Sequence, residues 1–144
     1  MAQIHLYLTF NGQCEEAFRF YARAFKKEAA FMGTFGDMPA AENAPELSDE
    51  DRNRILHVTL PISEHIVLMG SDTLTSQPQV NNGTNVSASI NAESKAEADQ
   101  LFADLSEGGT VTMPLQITFW GAYFGMFTDR FGIQWMVNYD EQPA

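Results

Sequence analysis

At 144 residues, 44% of them apolar and eleven of them phenylalanine, the chain has the length and apolar mass for one domain with its own core. Its net charge of −11, from 19 acids against 8 bases, opposes binding to nucleic acid, and one cysteine, Cys14, excludes an internal disulfide framework. No basic leader opens Met1-Ala-Gln-Ile-His5 and no apolar run approaches about 18 residues, so we expect no signal peptide, no membrane span and a cytoplasmic protein.

The predicted elements begin with a strand over residues 3–10, in which Ile4, Leu6, Leu8 and Phe10 share one face and His5, Tyr7 and Thr9 the other. Asn11-Gly12 breaks it. Residues 13–27 follow as a helix, with Ala17, Phe20, Tyr21 and Phe25 at helical spacing and Glu15 and Glu16 in the first turn. Arg23, Lys26 and Lys27, the nearest thing to a basic cluster, suit the carbonyl end of that helix. Ala29–Phe35 reads as a strand and Gly36-Asp37-Met38-Pro39 as a turn. The acidic stretch 40–53 reads as a loop with a short helical turn from Ser48. Ile55–Leu60 and His65–Gly70 are strands around a turn at Pro61–Glu64, and Ser71–Gly83 is a polar linker.

The order then starts again. Asn85–Asn91 reads as a strand, and Lys95–Leu105 as a helix capped by Ser94 with Glu97 three residues on. Gly108-Gly109 stops it. Thr110–Met113, Gly121–Thr128 and Ile133–Tyr139 complete the second set, with a tight turn at Asp129–Gly132. Each half is thus strand–helix–strand–strand–strand. Leu8, Phe10 and Asn11 correspond to Ala88, Ile90 and Asn91. Glu16, Ala17, Phe20 and Tyr21 correspond to Glu97, Ala98, Leu101 and Phe102. A single period of about 80 residues is a duplication and not a solenoid.

The segments Tyr7-Leu-Thr-Phe-Asn-Gly12, Glu16-Ala-Phe-Arg-Phe-Tyr21, Phe35-Gly-Asp-Met-Pro39, Leu68-Met-Gly-Ser-Asp72 and Gly121 to Tyr139 carry a resemblance. The chain resembles the vicinal oxygen chelate superfamily of glyoxalase I, extradiol dioxygenases and fosfomycin- and bleomycin-resistance proteins. Within it the chain is most similar to the PhnB-like group, many of whose members bear a demethylubiquinone methyltransferase label. The resemblance spans essentially the whole chain. It implies an α+β fold of two βαβββ modules, 1–72 and 84–144 joined by a linker at 73–83, forming curved mixed sheets around a cavity and paired in a homodimer. The residues do not support the methyltransferase label, because no Gly-rich strand-to-helix loop and no doubly wound alternation are present.

Metal-dependent relatives place ligands on the first and last strands of each module. Here the resemblance maps those positions to His5, Leu68, Asn85 (with Ser87 nearby) and Met136. One imidazole among alkyl, amide and thioether groups is a poor donor set, so we expect no metal and no other cofactor. His57 or Asp37 would contribute only if the alignment slipped.

His5, on the face opposite Ile4 and Leu6, is the candidate catalytic base or hydrogen-bond partner, against a plain polar strand residue. His57 lies mid-strand and would line the pocket unless it is structural; His65 reads as surface. Asp37 would orient ligand at the pocket mouth or form an Asx turn. Among the aromatics of the last third, Trp120 precedes Gly121, follows Gln116 and Thr118, and is the candidate pocket rim. The pocket is therefore expected to involve His57, Asp37, Gln116, Trp120 and Met136. Cys14 opens a helix with no adjacent base and reads as non-nucleophilic. The function these residues support is a small-molecule binding protein or metal-independent enzyme with an aromatic-lined pocket. The alternatives are a sequestering protein and a metal-dependent lyase or dioxygenase.

Overall fold

The structure is a computed structural model that describes residues 2–39 and 42–140. The chain divides between Asn81 and Asn82 into two compact units. The first contains β1 (Leu6–Phe10), α1 (Cys14–Phe25), β2 (Phe31–Thr34), a 3-10 turn (Phe35–Asp37), α2 (Asp49–Asn53), β3 (Ile55–Pro61) and β4 (Val67–Asp72). The second contains β5 (Ala88–Asn91), α3 (Lys95–Ser106), β6 (Thr110–Ile117), β7 (Ala122–Thr128) and β8 (Gln134–Asp140). Each unit is a four-stranded mixed sheet, ordered β1-β4-β3-β2 and β5-β8-β7-β6. In both, the first strand pairs in parallel with the last, and the remaining pairs are antiparallel. The duplication expected from residue spacing is therefore a repeat of topology.

In the first unit, α1 buries Cys14, Ala17, Phe18, Tyr21 and Ala24. The sheet meets it with Leu8, Phe10, Val58, Leu60 and Leu68, all buried. Phe18 stands edge-on to both Phe10 and Tyr21, with ring centroids 6.3 and 5.6 Å apart. Gly70 makes room for it, since a Cβ there would sit 2.6 Å from the Phe18 ring. No side chain of its own caps α1; instead Asp72, at the end of β4, accepts from the backbone N–H groups of Gly12 (2.9 Å), Cys14 (3.0 Å) and Ile55 (2.9 Å). A carboxylate there satisfies donors that the helix itself leaves open. α2 begins where Ser48 accepts from the Asp51 N–H.

In the second unit, α3 buries Ala98, Leu101 and Leu105 on the side of the sheet that carries Phe127, Trp135 and Val137. Phe102 meets Phe127 edge-on at 5.1 Å. The Ser94 cap holds the Glu97 N–H as expected, but the Glu97 carboxylate reaches the N–H of Glu93, one residue before the cap. Asp129 organises the β7–β8 turn, where Gly132 takes a φ of +89°.

Several strand limits differ from the expected ones. β1 starts at Leu6 because Ile4 is exposed and lies outside the ladder. β5 starts at Ala88, leaving Asn85 and Ser87 before it, and β4 starts at Val67. β6 runs on to Ile117 through Pro114: it is an edge strand, and its pairing with β7 slips between Met113 and Gln116, so the missing proline N–H costs no ladder bond. The acidic loop includes Ala40 and Ala41, which lie outside the described residues.

Candidate functional site

The first sheet buries one face under α1 and leaves the other open. Register across the four strands places Tyr7, Met69, Thr59 and Phe31 in one row on the open side. Thr9 and Ser71 pair in the next row, and Gly33 pairs with His57. His57 faces this side together with Thr59, alternating with the buried Val58 and Leu60. Ile55 and Val58 are both buried, which strict alternation forbids, and the β2–β3 register shifts between Gly33 and Thr34. One extra residue in β3 ahead of His57 reverses the parity there and turns Ile55 back into the core. Opposite it, Gly33 has no side chain, and the Phe31 ring lies over it, 2.7 Å from where a Cβ would stand.

These placements make a short hydrogen-bonded chain. The Tyr7 hydroxyl lies 3.3 Å from His57 Nδ1, and His57 Nε2 lies 2.9 Å from Thr59 Oγ1. The imidazole sits beside both aromatic rings, with centroids 5.7 Å from Tyr7 and 6.3 Å from Phe31. Tyr7 is 46% exposed and Phe31 54% exposed, so the chain ends at an accessible phenol beside an accessible ring. Two proton arrangements satisfy the same geometry. With the proton on Nε2, the imidazole donates to Thr59 and accepts from Tyr7, whose free lone pairs face outward. With it on Nδ1, the imidazole donates to Tyr7 and the phenol O–H is free to donate.

His5 lies at the entry to the first sheet. It precedes β1, and its Nδ1 accepts the backbone N–H of Val67 at 3.1 Å while Nε2 lies 3.2 Å from Gln3 Oε1. Accepting at Nδ1 puts the proton on Nε2, so both ring nitrogens serve the chain's own structure. The Asp37 carboxylate accepts the N–H of Thr34 at 2.9 Å in a reciprocal cap of the 3-10 turn. Gln116 and Met136 lie on the second unit's sheet, on the side away from α3. Register puts Met136 in a row with Ser89, Met126 and Met113, and Gln116 in a row with Phe124, Asn138 and Asn91. Trp120 occupies the β6–β7 turn, 57% exposed, with its ring 6.0 Å from Phe124 and 4.9 Å from the almost fully exposed Phe119. The three second-unit residues thus share one neighbourhood. Tyr7, Thr59 and Phe31 are the residues that sequence reasoning missed. Alternation within β1 put Tyr7 on the correct side, but nothing local ties it to a histidine 50 residues away.

The positions that hold metal in related folds do not fit one here. Leu68 is buried, Asn85 precedes β5, Met136 offers a thioether, and the imidazole of His5 is committed to Val67. Among the described residues no three His, Cys, Asp or Glu side chains gather into a donor set. Cys14 is fully buried; burial first, then Asp72 and Glu15, push its thiol well above the usual range, so no thiolate is available. A cleft of about 420 Å³ opens beside the start of α1, lined by Asn11, Gln13, Glu50 and Arg54 among others. Its charged groups serve one another: Arg54 donates to Thr73 O (2.8 Å) and Glu50 (3.1 Å).

Residues 2–138 match the family described as 3-demethylubiquinone-9 3-methyltransferase. The chain belongs to this family. Protein YjdN of Escherichia coli K12 is 31% identical to it over 94% of both chains. The crystal structure of protein PA1353 from Pseudomonas aeruginosa is 44% identical, with a TM-score of 0.84 over 97% of this chain and 98% of that one. A putative 3-demethylubiquinone-9 3-methyltransferase, the PhnB protein from Bacillus cereus, shares the fold at 21% identity and a TM-score of 0.73, covering 96% and 99%. Glyoxalase/bleomycin resistance proteins share it at 12% and 17% identity, both with TM-scores of 0.61, which is the vicinal oxygen chelate fold. The family description speaks of methyl transfer. In this member the N–H groups at Gly12 and Cys14, where a strand-to-helix cofactor loop would offer its donors, are already bonded to Asp72.

Proposed function

We propose that the protein binds a small organic molecule against the open face of its first sheet, with Tyr7 and His57 contacting it and exchanging or sharing a proton. The Tyr7–His57–Thr59 hydrogen-bonded chain, ending at a phenol that is 46% exposed, is the observation that carries this reading. A phenol backed by an imidazole either donates to a ligand carbonyl or accepts from a ligand hydroxyl, and Phe31 supplies a ring for stacking. The proton-handling role expected of His5 passes in this reading to His57, while His5 closes the edge of the ladder. Gln116, Trp120 and Met136 are the ligand contacts proposed for the second unit, and Asp37 stays a turn residue. The protein would work in the cytoplasm as a homodimer without metal. Among the described residues no helix is long and apolar enough to cross a membrane.

The test is a compound screen by thermal shift, repeated with Tyr7→Phe and His57→Gln. Binding of the compounds found should weaken in both variants; unchanged binding in both would remove the assignment. Product analysis after incubation separates the two forms of the reading. Conversion of the ligand identifies an enzyme, and recovery of intact ligand identifies a sequestering protein. Stoichiometric Ni, Zn or Mn after soaking, measured by elemental analysis, would instead favour a metal-dependent lyase or dioxygenase.

A further inference from the structure

We infer that the ligand of the first sheet's open face is an uncharged molecule, recognised through hydroxyl or carbonyl groups beside an aromatic or otherwise planar body. This rests on the proposed ligand site and adds the chemical class of its occupant. The chain carries 19 acids and 8 bases, yet of the eight strands among the described residues only two contain a charged residue, and in both it is the last residue. One is Asp72, buried and held by three backbone N–H groups; the other is Asp140 in the second unit. In the first unit the ion pairs Glu15–Arg19, Glu46–Arg52, Glu50–Arg54 and Asp51–Arg54 all lie on helices and in loops.

An open sheet face in so acidic a chain would ordinarily carry Lys, Arg or Glu, as solvated faces do. This one carries the Tyr7 and Thr59 hydroxyls, the His57 imidazole, Met69 and Phe31, with Thr9 and Ser71 in the adjoining row. A charged ligand laid on it would lose water and meet no counter-charge. An anion would also approach against the net charge of the whole chain. A cation seated between aromatic faces is the nearest competitor. The space between Tyr7 and Phe31, however, is taken by the His57 ring, tilted 35° and 33° to its neighbours. The donors and acceptors that remain are neutral and match neutral oxygen groups.

Three phenols of one size test this: 4-hydroxybenzamide, 4-hydroxybenzoate and 4-hydroxybenzylamine, neutral, anionic and cationic at neutral pH. Each is titrated into the ¹⁵N-labelled full chain while the amide signals of β1, β3 and β4 are followed. The neutral probe is expected to shift those signals and to bind at least ~10-fold tighter than either charged one. Met69→Glu, which places a carboxylate in the central row, should turn the preference toward the cationic probe, and its unfolding midpoint shows whether it still folds. A charged probe that binds the wild-type face as tightly as the neutral one would overturn the inference and leave the ligand site standing. If none of the three shifts the face, the ligand site itself fails, and the inference with it.

Discussion

Trp135 on β8 donates its indole N–H to Asp129 Oδ2 at 2.8 Å, across the turn that joins β7 to β8. The other carboxylate oxygen accepts from the N–H groups of Phe131 (2.8 Å) and Ile133 (3.0 Å), and Asp129 is only 3% exposed. One buried anion thus fixes the turn, the start of β8 and the largest ring of the second unit's core. Removing it takes away three hydrogen bonds, two to backbone N–H groups and one to the indole. Asp129→Ala should therefore destabilise the protein by about 3 kcal/mol in urea unfolding. A loss within experimental error of zero would mean that water replaces the carboxylate.

Gly70 is a packing glycine. A Cβ at this position would meet the Phe18 ring at 2.6 Å and the carbonyl oxygen of Leu8 at 2.8 Å. A ring can turn aside where space allows, but the carbonyl belongs to the paired strand and cannot. Gly70→Ala should cost about 1–3 kcal/mol, and trimming the ring in Phe18→Leu/Gly70→Ala should recover only part of it. Full recovery in the double variant would show that the backbone contact is relaxed without cost.

The Cys14 thiol should be inert in the folded protein. It is fully buried, and burial together with Asp72 and Glu15 holds it protonated far above ordinary thiol values. Ellman's reagent at mildly alkaline pH should give no colour until urea is added, and then one equivalent. Rapid labelling of the native chain would contradict the packing described for the start of α1.

Asp51 predicts part of the response to acid. Its carboxyl is held below the usual carboxylate range, first by the Thr75 backbone N–H, and also by the Thr75 hydroxyl, by Arg54 and by Ser48, while burial opposes them. A folded value below the unfolded one contributes stability that is complete above the ordinary carboxylate range and is lost as pH falls through the folded value. Asp51→Asn should lower the urea midpoint at neutral pH and flatten its decline in acid, with the two curves converging at the lowest pH that still gives a folded baseline. Parallel curves would show that Asp51 is not one of the groups responsible.

Most of the architecture was legible because it rests on patterns that local residues carry. The alternation of Leu6, Leu8 and Phe10, the Ala17–Tyr21 spacing, the Ser94 cap and the 80-residue period each point to an element that exists. The departures have physical causes that no local pattern announces. The strand expected over Thr110–Met113 runs on through Pro114, which the edge position of β6 makes harmless. His57 was recognised as a residue of interest, but plain alternation puts Ile55 on its face, and only the bulge set by pairing with β2 separates the two. The Tyr7–His57 contact depends on β1 lying next to β4 and not next to β3, which is a property of topology. His5 looked free because its partner is a backbone N–H of β4, and backbone partners have no signature in side-chain chemistry.

The bond between His5 and Val67 spans 62 residues, and the whole of β1 shares that separation from β4. During synthesis β1 therefore leaves the ribosome long before the strand that completes it. Until Val67 to Asp72 emerge, its Leu8 and Phe10 have only α1 to cover them. In the finished sheet β4 lies between β1 and β3, so the four strands cannot join before it is made. A chain halted before β4 would hold all the residues of the proposed Tyr7–His57–Thr59 site without the strand that brings them together.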